Sequence, residues 1–241
     1  LYFQVSSWFA RVLGADFFAL RLVSFLSSLG SIGLIFAIVR GRTGGWLGPT
    51  LAACLFAASY REGGAWFDVA RNDALYLFLM LAGVWAMMRP GSAWVAGALG
   101  GAGFALAALT KQSALFVAVP VAAWLLITDM RRGATFTVTL AAIAGGATLW
   151  LDQASGGWYR YYVFVLPRDH PIIGQLLRGF WTAEYLGVYG LALAIAAFRF
   201  VRAPLGEWRR TGLDLVLLGS LILTAYATKI RVGSFDNLIL P

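Results

Sequence analysis

Charge is what this chain has least of. Only 12% of its 241 residues are Asp, Glu, Lys or Arg, about half the share of an ordinary soluble domain. There is one cysteine, Cys54, inside an apolar run, so no disulfide framework exists and the thiol does not report a compartment. There is one histidine, His170, and no spaced carboxylate–histidine motif, so no metal site and no cofactor are assigned, and the sequence does not read out a need for a divalent metal. A phosphate loop, a nucleophile elbow and a dinucleotide fingerprint are all absent. Signal-peptide patterning, internal repeats and low-complexity segments are absent as well. The formal charge of +8 comes from basic residues scattered between apolar runs rather than clustered, which argues against a nucleic-acid partner.

What the chain has instead is apolar surface. Sixty per cent of the residues are hydrophobic and the mean hydropathy is +0.76. One core of this size cannot bury so much, so lipid is the expected solvent for most of it. Ten Trp and nine Tyr suit the headgroup level of a bilayer. Apolar runs cover Phe17–Val39, Trp46–Tyr60, Asp73–Met88, Ala93–Leu109, Ser113–Thr128, Thr135–Leu151, Glu184–Val201 and Gly212–Thr228. As one helix, Ala93–Thr128 would be roughly 54 Å long against a hydrocarbon core of about 30 Å, so it must turn near Thr110-Lys111-Gln112. The fold class expected is all-α, a polytopic transmembrane bundle with about eight spans. An interfacial helix over Leu1–Gly14 precedes the first span. Glycines at Gly97–Gly103 and Gly145-Gly146 are read as close helix contacts. The chain lacks an initiator Met, and residues 1–241 are expected to be one transmembrane domain truncated at both ends.

The loops alternate in character. Short ones carry Arg40, Arg42, Arg89, Arg131, Arg132, Arg199, Arg202, Arg209 and Arg210. The longer, mixed ones run over Arg61–Asn72, Thr110–Gln112, Asp152–Ala183 and Lys229–Pro241. The denser basic set belongs in the cytoplasm by the positive-inside rule, which places the mixed loops and both chain ends outside. Each mixed loop brings at least one cation: Arg61 and Arg71, Lys111, Arg160 and Arg168, Lys229 and Arg231. Taken singly, these have ordinary readings. Arg61–Glu62 and Arg71–Asp73 suit rim ion pairs, Lys111 suits snorkelling to headgroups, His170 suits a plain loop position, and Trp158–Phe164 suits an interfacial belt. Together they are how a site for an anionic, lipid-borne group would be built, because phosphate near a membrane calls for Arg and Lys donors.

The run Arg61-Glu62-Gly63-Gly64-Ala65-Trp66-Phe67-Asp68-Val69-Ala70-Arg71-Asn72-Asp73-Ala74-Leu75 resembles a segment of bacterial polyprenyl-phosphate-sugar glycosyltransferases. These are GT-C membrane enzymes related to protein O-mannosyltransferases and the lipid A aminoarabinose transferase. Leu109–Ser113, Gly156–Phe164 with Leu166-Pro167 and His170-Pro171, and the ending Gly233–Pro241 are similar to further segments in the same order. The resemblance implies a hexosyl or pentosyl transfer from a polyprenyl-phosphate-linked donor to an acceptor on the outer face of a bacterial inner membrane. It implies Lys111 and Arg71 on the donor phosphate, with Arg160 and Arg231 as second choices, and Asp73 and Gln112 orienting them. Trp158, Tyr161, His170, Asp236 and Asn237 would meet the sugar or acceptor, and the catalytic Asp would lie upstream of Leu1. A polytopic transporter or lipid flippase, or a noncatalytic scaffold, would share the composition. A transporter would favour helices broken at mid-depth with binding groups there, whereas here the polar groups collect near one surface.

Overall fold

Helix 2 shows the inversion that lipid imposes. In this computed structural model, which describes residues 1–60, 64 and 67–231, α2 (Phe17–Thr43) buries Ser24, Ser27, Ser28 and Ser31 while Phe25, Leu26 and Leu29 stand exposed. Each buried hydroxyl donates to a carbonyl, two of them to Val23 and Ser27 within the helix itself, so none is left unsatisfied away from water. Asp16 caps the start of α2 through Phe17 N–H, and Gly44 ends it in the left-handed region, φ 71°.

The remaining principal helices are α1 (Tyr2–Leu13), α3 (Leu47–Ala58), α4 (Asp73–Met88), α5 (Ala93–Thr110), α6 (Ala114–Thr128), α7 (Met130–Ala154), α8 (Leu186–Val201) and α9 (Trp208–Lys229). The long α7 contains a π-helical stretch at Ala141–Gly145. Each expected apolar run carries one of these helices. Four of them, α2, α5, α7 and α9, are long and apolar enough to cross a membrane, with a fifth crossing if the bent pair Leu176–Thr182 and Leu186–Val201 is one span. The apolar helices α3, α4 and α6 have 12, 16 and 15 residues, short of the ~20 that a straight crossing needs. Two of them make up much of the core: Met80 and Met87 of α4, and Val117, Ala118 and Val121 of α6, are buried against Phe104 and Phe136. Asp152–Ala183, expected as a loop, contains short helical turns at Trp158–Arg160, Tyr161–Val165, Leu166–Arg168 and Leu176–Gly179. The N-terminal segment is helical as expected, and it also packs inward, with Tyr2 beside Val23 and Leu75 and its hydroxyl donating to Leu20 O at 3.1 Å.

Close approach among α4, α5, α6 and α7 rests on glycine. A Cβ on Gly101 would stand 2.4 Å from Phe136 O, one on Gly97 2.3 Å from Arg132 O, one on Gly103 2.6 Å from Gly83 Cα, and one on Gly133 2.4 Å from Leu126 N. Gly97 and Gly101 lie four residues apart and share the face turned to α7, the small-xxx-small arrangement of membrane helix pairs. Gly145 and Gly146 behave differently from expectation: nothing comes within 4 Å of a Cβ at either, because the end of the π-helical stretch at Gly145 and the residue after it lie on an open face. Gly101→Ala is therefore expected to cost about 1–3 kcal/mol through forced separation of α5 from α7, while Gly145→Ala should be neutral or slightly stabilising. Thermal unfolding of the two variants in detergent measures the contrast, and equal midpoints would remove glycine contact as the determinant.

Candidate functional site

Helix ends bring opposite charges to one pole. Asp73 occupies the first turn of α4, where backbone N–H groups favour an anion, and Lys111 follows the last turn of α5, where carbonyls favour a cation. Since α4 and α5 run antiparallel, these ends are adjacent. Lys111 Nζ donates to Asp73 Oδ1 at 2.6 Å, and Arg71 Nε lies 3.5 Å from Asp73 Oδ2. The Lys111 and Asp73 side chains are only 21% and 17% exposed, against 44% for Arg71. The ring of buried Tyr76 backs the ammonium at 5.5 Å. Asn72 does not cap its own helix; its Nδ2 donates to Thr110 O at 3.0 Å, satisfying a carbonyl at the end of α5 and tying the two turns together.

The segment 67–72 is held to α2 along its length. Ser28 Oγ donates to Phe67 O at 2.6 Å and Ser24 Oγ to Arg71 O at 3.0 Å. Arg21 pairs with Asp68, and Tyr60 Oη donates to Asp68 Oδ1 at 3.0 Å. The hydrogen bond from Arg21 holds the Asp68 carboxyl below the usual carboxylate range despite the opposing effect of partial burial. Asp68 thus stays ionised at neutral pH and keeps Arg21 engaged.

A second group lies at the same pole, at the far end of α9. Arg231 Nη1 donates to the carbonyls of Pro167, Arg168 and His170 at 3.3, 2.8 and 3.1 Å, and Ile172 and Arg231 form an antiparallel bridge. Buried Phe180 and Tyr185 stack at 5.1 Å beside Tyr226 of α9, which anchors the same stretch from its other side. Arg160 is 71% exposed and lies 3.9 Å from Asp152. Trp158, Tyr161 and Tyr162 form a ring cluster on the surface, with Trp158 and Tyr162 stacked at 5.7 Å. His170 is exposed and contributes its carbonyl to Arg231. Lys229, at the end of α9, is buried.

Lys111, Asp73 and Arg71 are thus brought into one cluster, and Arg231 and His170 into another. Gln112 is half-buried and makes no side-chain hydrogen bond among the described residues. No described residue of the 158–170 stretch contacts Lys111 through a hydrogen bond, ion pair or ring. Asp236, Asn237, Arg61 and Glu62 lie outside the described residues. Sequence reasoning passed over Arg21, Ser24, Ser28 and Asn72, which fix the Arg71 segment in place. The spacing of Ser24 with Ser28 and of Ser27 with Ser31, a polar stripe on an otherwise apolar helix, was the available signal.

The energetic centre of this cluster is testable. Asp73→Asn would leave two adjacent cations without their counter-charge and is expected to destabilise by about 1–3 kcal/mol. Combining it with Lys111→Met should recover part of that loss. Additive losses in this double-mutant cycle would show that the two side chains are not coupled.

Comparison with known proteins gives the family. The model described as dolichyl-phosphate-mannose-protein mannosyltransferase matches residues 2–152, more than half of the chain, a stretch that includes Arg71, Asp73 and Lys111 and stops short of Trp158, Arg160 and Arg231. No curated protein and no solved structure matches the chain. With membrane-length apolar helices and this match, the chain belongs to the dolichyl-phosphate-mannose-protein mannosyltransferase family, a group of integral-membrane glycosyltransferases of the GT-C type.

Proposed function

We propose that the protein transfers a hexose or pentose from a polyprenyl-phosphate donor to an acceptor on the outer face of a bacterial inner membrane. Arg71 and Lys111 then grip the donor phosphate. The observation that supports this most is the cluster itself: two cations from separate turns meet at one largely buried carboxylate at a bundle end. The transporter alternative is not pursued, because the family match places the chain among transferases.

In the proposed reaction the bond between the anomeric carbon and the donor phosphate oxygen breaks, and its electron pair leaves with the phosphate. The acceptor oxygen forms the new bond to that carbon. Its proton passes to a base, the carboxylate expected upstream of Leu1. The transition state is oxocarbenium-like, and negative charge grows on the departing phosphate. Donors already aimed at that charge lower the barrier, by about 2.7–4 kcal/mol for one well-placed group. Lys111 suits this role because its contact with Asp73 positions it before any ligand arrives. Arg71 presents its guanidinium on the other side of the same carboxylate, while Ser24 holds its backbone carbonyl in place.

Arg160 and Arg231 remain second choices for the same phosphate. Arg231 already spends Nη1 on three carbonyls, so its first effect would be to shape the 167–170 stretch. Trp158, Tyr161 and His170 would cover the sugar or acceptor, with Asp236 and Asn237 alongside them. Exposed apolar faces, such as Leu191, Ile195 and Phe198 on α8, supply the kind of surface a polyprenyl chain lies against.

Lys111→Ala in the full-length protein is expected to lower transfer at least about 100-fold with expression and folding retained. Arg131→Ala, at the other pole, should change it less than about twofold. Turnover assays with a panel of polyprenyl-phosphate sugars measure both. Wild-type rates in Lys111→Ala would remove the lysine from the site, and a large loss in Arg131→Ala would reverse the assigned sidedness.

A further inference from the structure

The pole opposite Lys111 holds a cleft of about 560 Å³ where the ends of α2, α4, α6, α7 and α9 meet, within the size range of ligand sites. Five arginines line it: Arg42, Arg89, Arg132, Arg209 and Arg210. Among the described residues, the carboxylates that pair with them are Asp129, 3.5 Å from Arg132 Nε, and Asp214, 2.8 Å from Arg42 Nη2. The local balance is therefore +3. Among the described residues, Arg89, Arg209 and Arg210 have no carboxylate within ion-pair distance. Arg132 Nε is buried and makes no hydrogen bond.

Positive-inside bias alone would scatter arginines over the loops at this face. Here they come from the ends of four helices to one concavity, and the wall beneath them is apolar. Met87, Trp124, Leu125 and Leu213 line that wall. Trp85 carries the Arg89 guanidinium over its ring at 4.6 Å, and Trp124 Nε1 donates to Arg209 O at 3.4 Å. Cations over a greasy wall, with tryptophans at the boundary, match an amphiphile whose charged end is a phosphate and whose remainder is hydrocarbon. A headgroup that carries an ammonium would bring that cation against uncompensated guanidiniums, and one whose only charge is its phosphate would not.

We propose that this cleft binds the phosphate of an anionic glycerophospholipid whose headgroup carries no amine. The arginines take the phosphate oxygens as charge-assisted, bidentate donors. The acyl chains follow the apolar wall between α2, α4 and α6. The site is separate from the Lys111 cluster and does not depend on the assignment made there. It would lock the ends of the bundle helices to the lipid leaflet that they face.

Native mass spectrometry of the full-length protein, purified in detergent and titrated with phosphatidylglycerol or phosphatidylcholine, tests this. The wild type is expected to retain phosphatidylglycerol in preference to phosphatidylcholine. The double variant Arg89→Gln with Arg210→Gln should weaken phosphatidylglycerol retention about 30-fold, as expected for two surface cations each contributing about a factor of five. Arg131→Gln, at the same pole but outside the cleft, should leave retention unchanged. Unchanged thermal midpoints in all variants show that the bundle is intact. Equal retention by the double variant and the wild type would overturn the proposal. An equal loss in Arg131→Gln would overturn it too, by making the attraction diffuse. Inorganic phosphate binding with the same arginine dependence but no lipid retention would make this a soluble-anion site and overturn the lipid assignment.

Discussion

A charge at membrane depth must be paired or placed at a helix end, and the candidate site follows from satisfying both conditions at once. A lone charge at the bilayer centre costs about 2.5–3.5 kcal/mol on insertion scales. Asp73 and Lys111 avoid this by sitting at complementary ends of antiparallel helices and neutralising each other. Their separation is not set by the side chains alone. It depends on how closely α4 and α5 approach, and that approach is possible because Gly83 faces Gly100 and Gly103 with no Cβ between the backbones. Packing deep in the bundle thus fixes electrostatics at its end.

In the phosphate site proposed above, Asp73 would also resolve a difficulty that any membrane phosphate site faces. Two bare cations this close would repel each other and would be costly to desolvate before the ligand came. A carboxylate between them offsets that repulsion and holds both cations in place. A phosphate arriving there need not displace Asp73. It can take the remaining donor capacity of Lys111 and the exposed side of Arg71, in surroundings where Coulomb attraction is stronger than in water. Arg21 stands apart, since Asp68 pairs with it one to one and also accepts from it through its backbone carbonyl.

Much of this was legible in the sequence because lipid makes length diagnostic. The break at Lys111 followed from a run too long to be one crossing, and the lysine stood out as the only charge in it. The eight apolar runs were found for the same reason, with ends shifted by a few residues. Which helices are long enough to cross was less legible, because α4 and α6 are shielded by protein on several sides and a run length says nothing about neighbours. Ser24 and Ser28 were missed because a serine in an apolar helix can satisfy itself on the preceding turn, as Ser27 and Ser31 do. Only three-dimensional contact separates the two pairs. Arg231 was readable as a cation but not as a clamp, since its carbonyl partners are more than sixty positions away in the chain. Gly145 and Gly146 look like Gly97 and Gly101 in sequence and differ only in what passes beside them.

The two ends of the bundle treat their cations differently, and that difference gives the molecule a direction. At the Lys111 end, Asp68, Asp73 and Asp152 each sit beside an arginine or lysine, and Arg231 is taken up by backbone carbonyls. At the other end, Asp129 and Asp214 serve two of the five cleft arginines, and among the described residues the other three have no carboxylate partner. A dense set of basic residues in short loops is what holds a segment on the cytoplasmic side during insertion. An orientation set by the arginine-rich end would carry the Lys111 cluster to the opposite surface. A transferase drawing on a lipid-linked sugar there needs cations that are neutralised enough to cross and positive enough to bind, and a shared carboxylate provides that compromise.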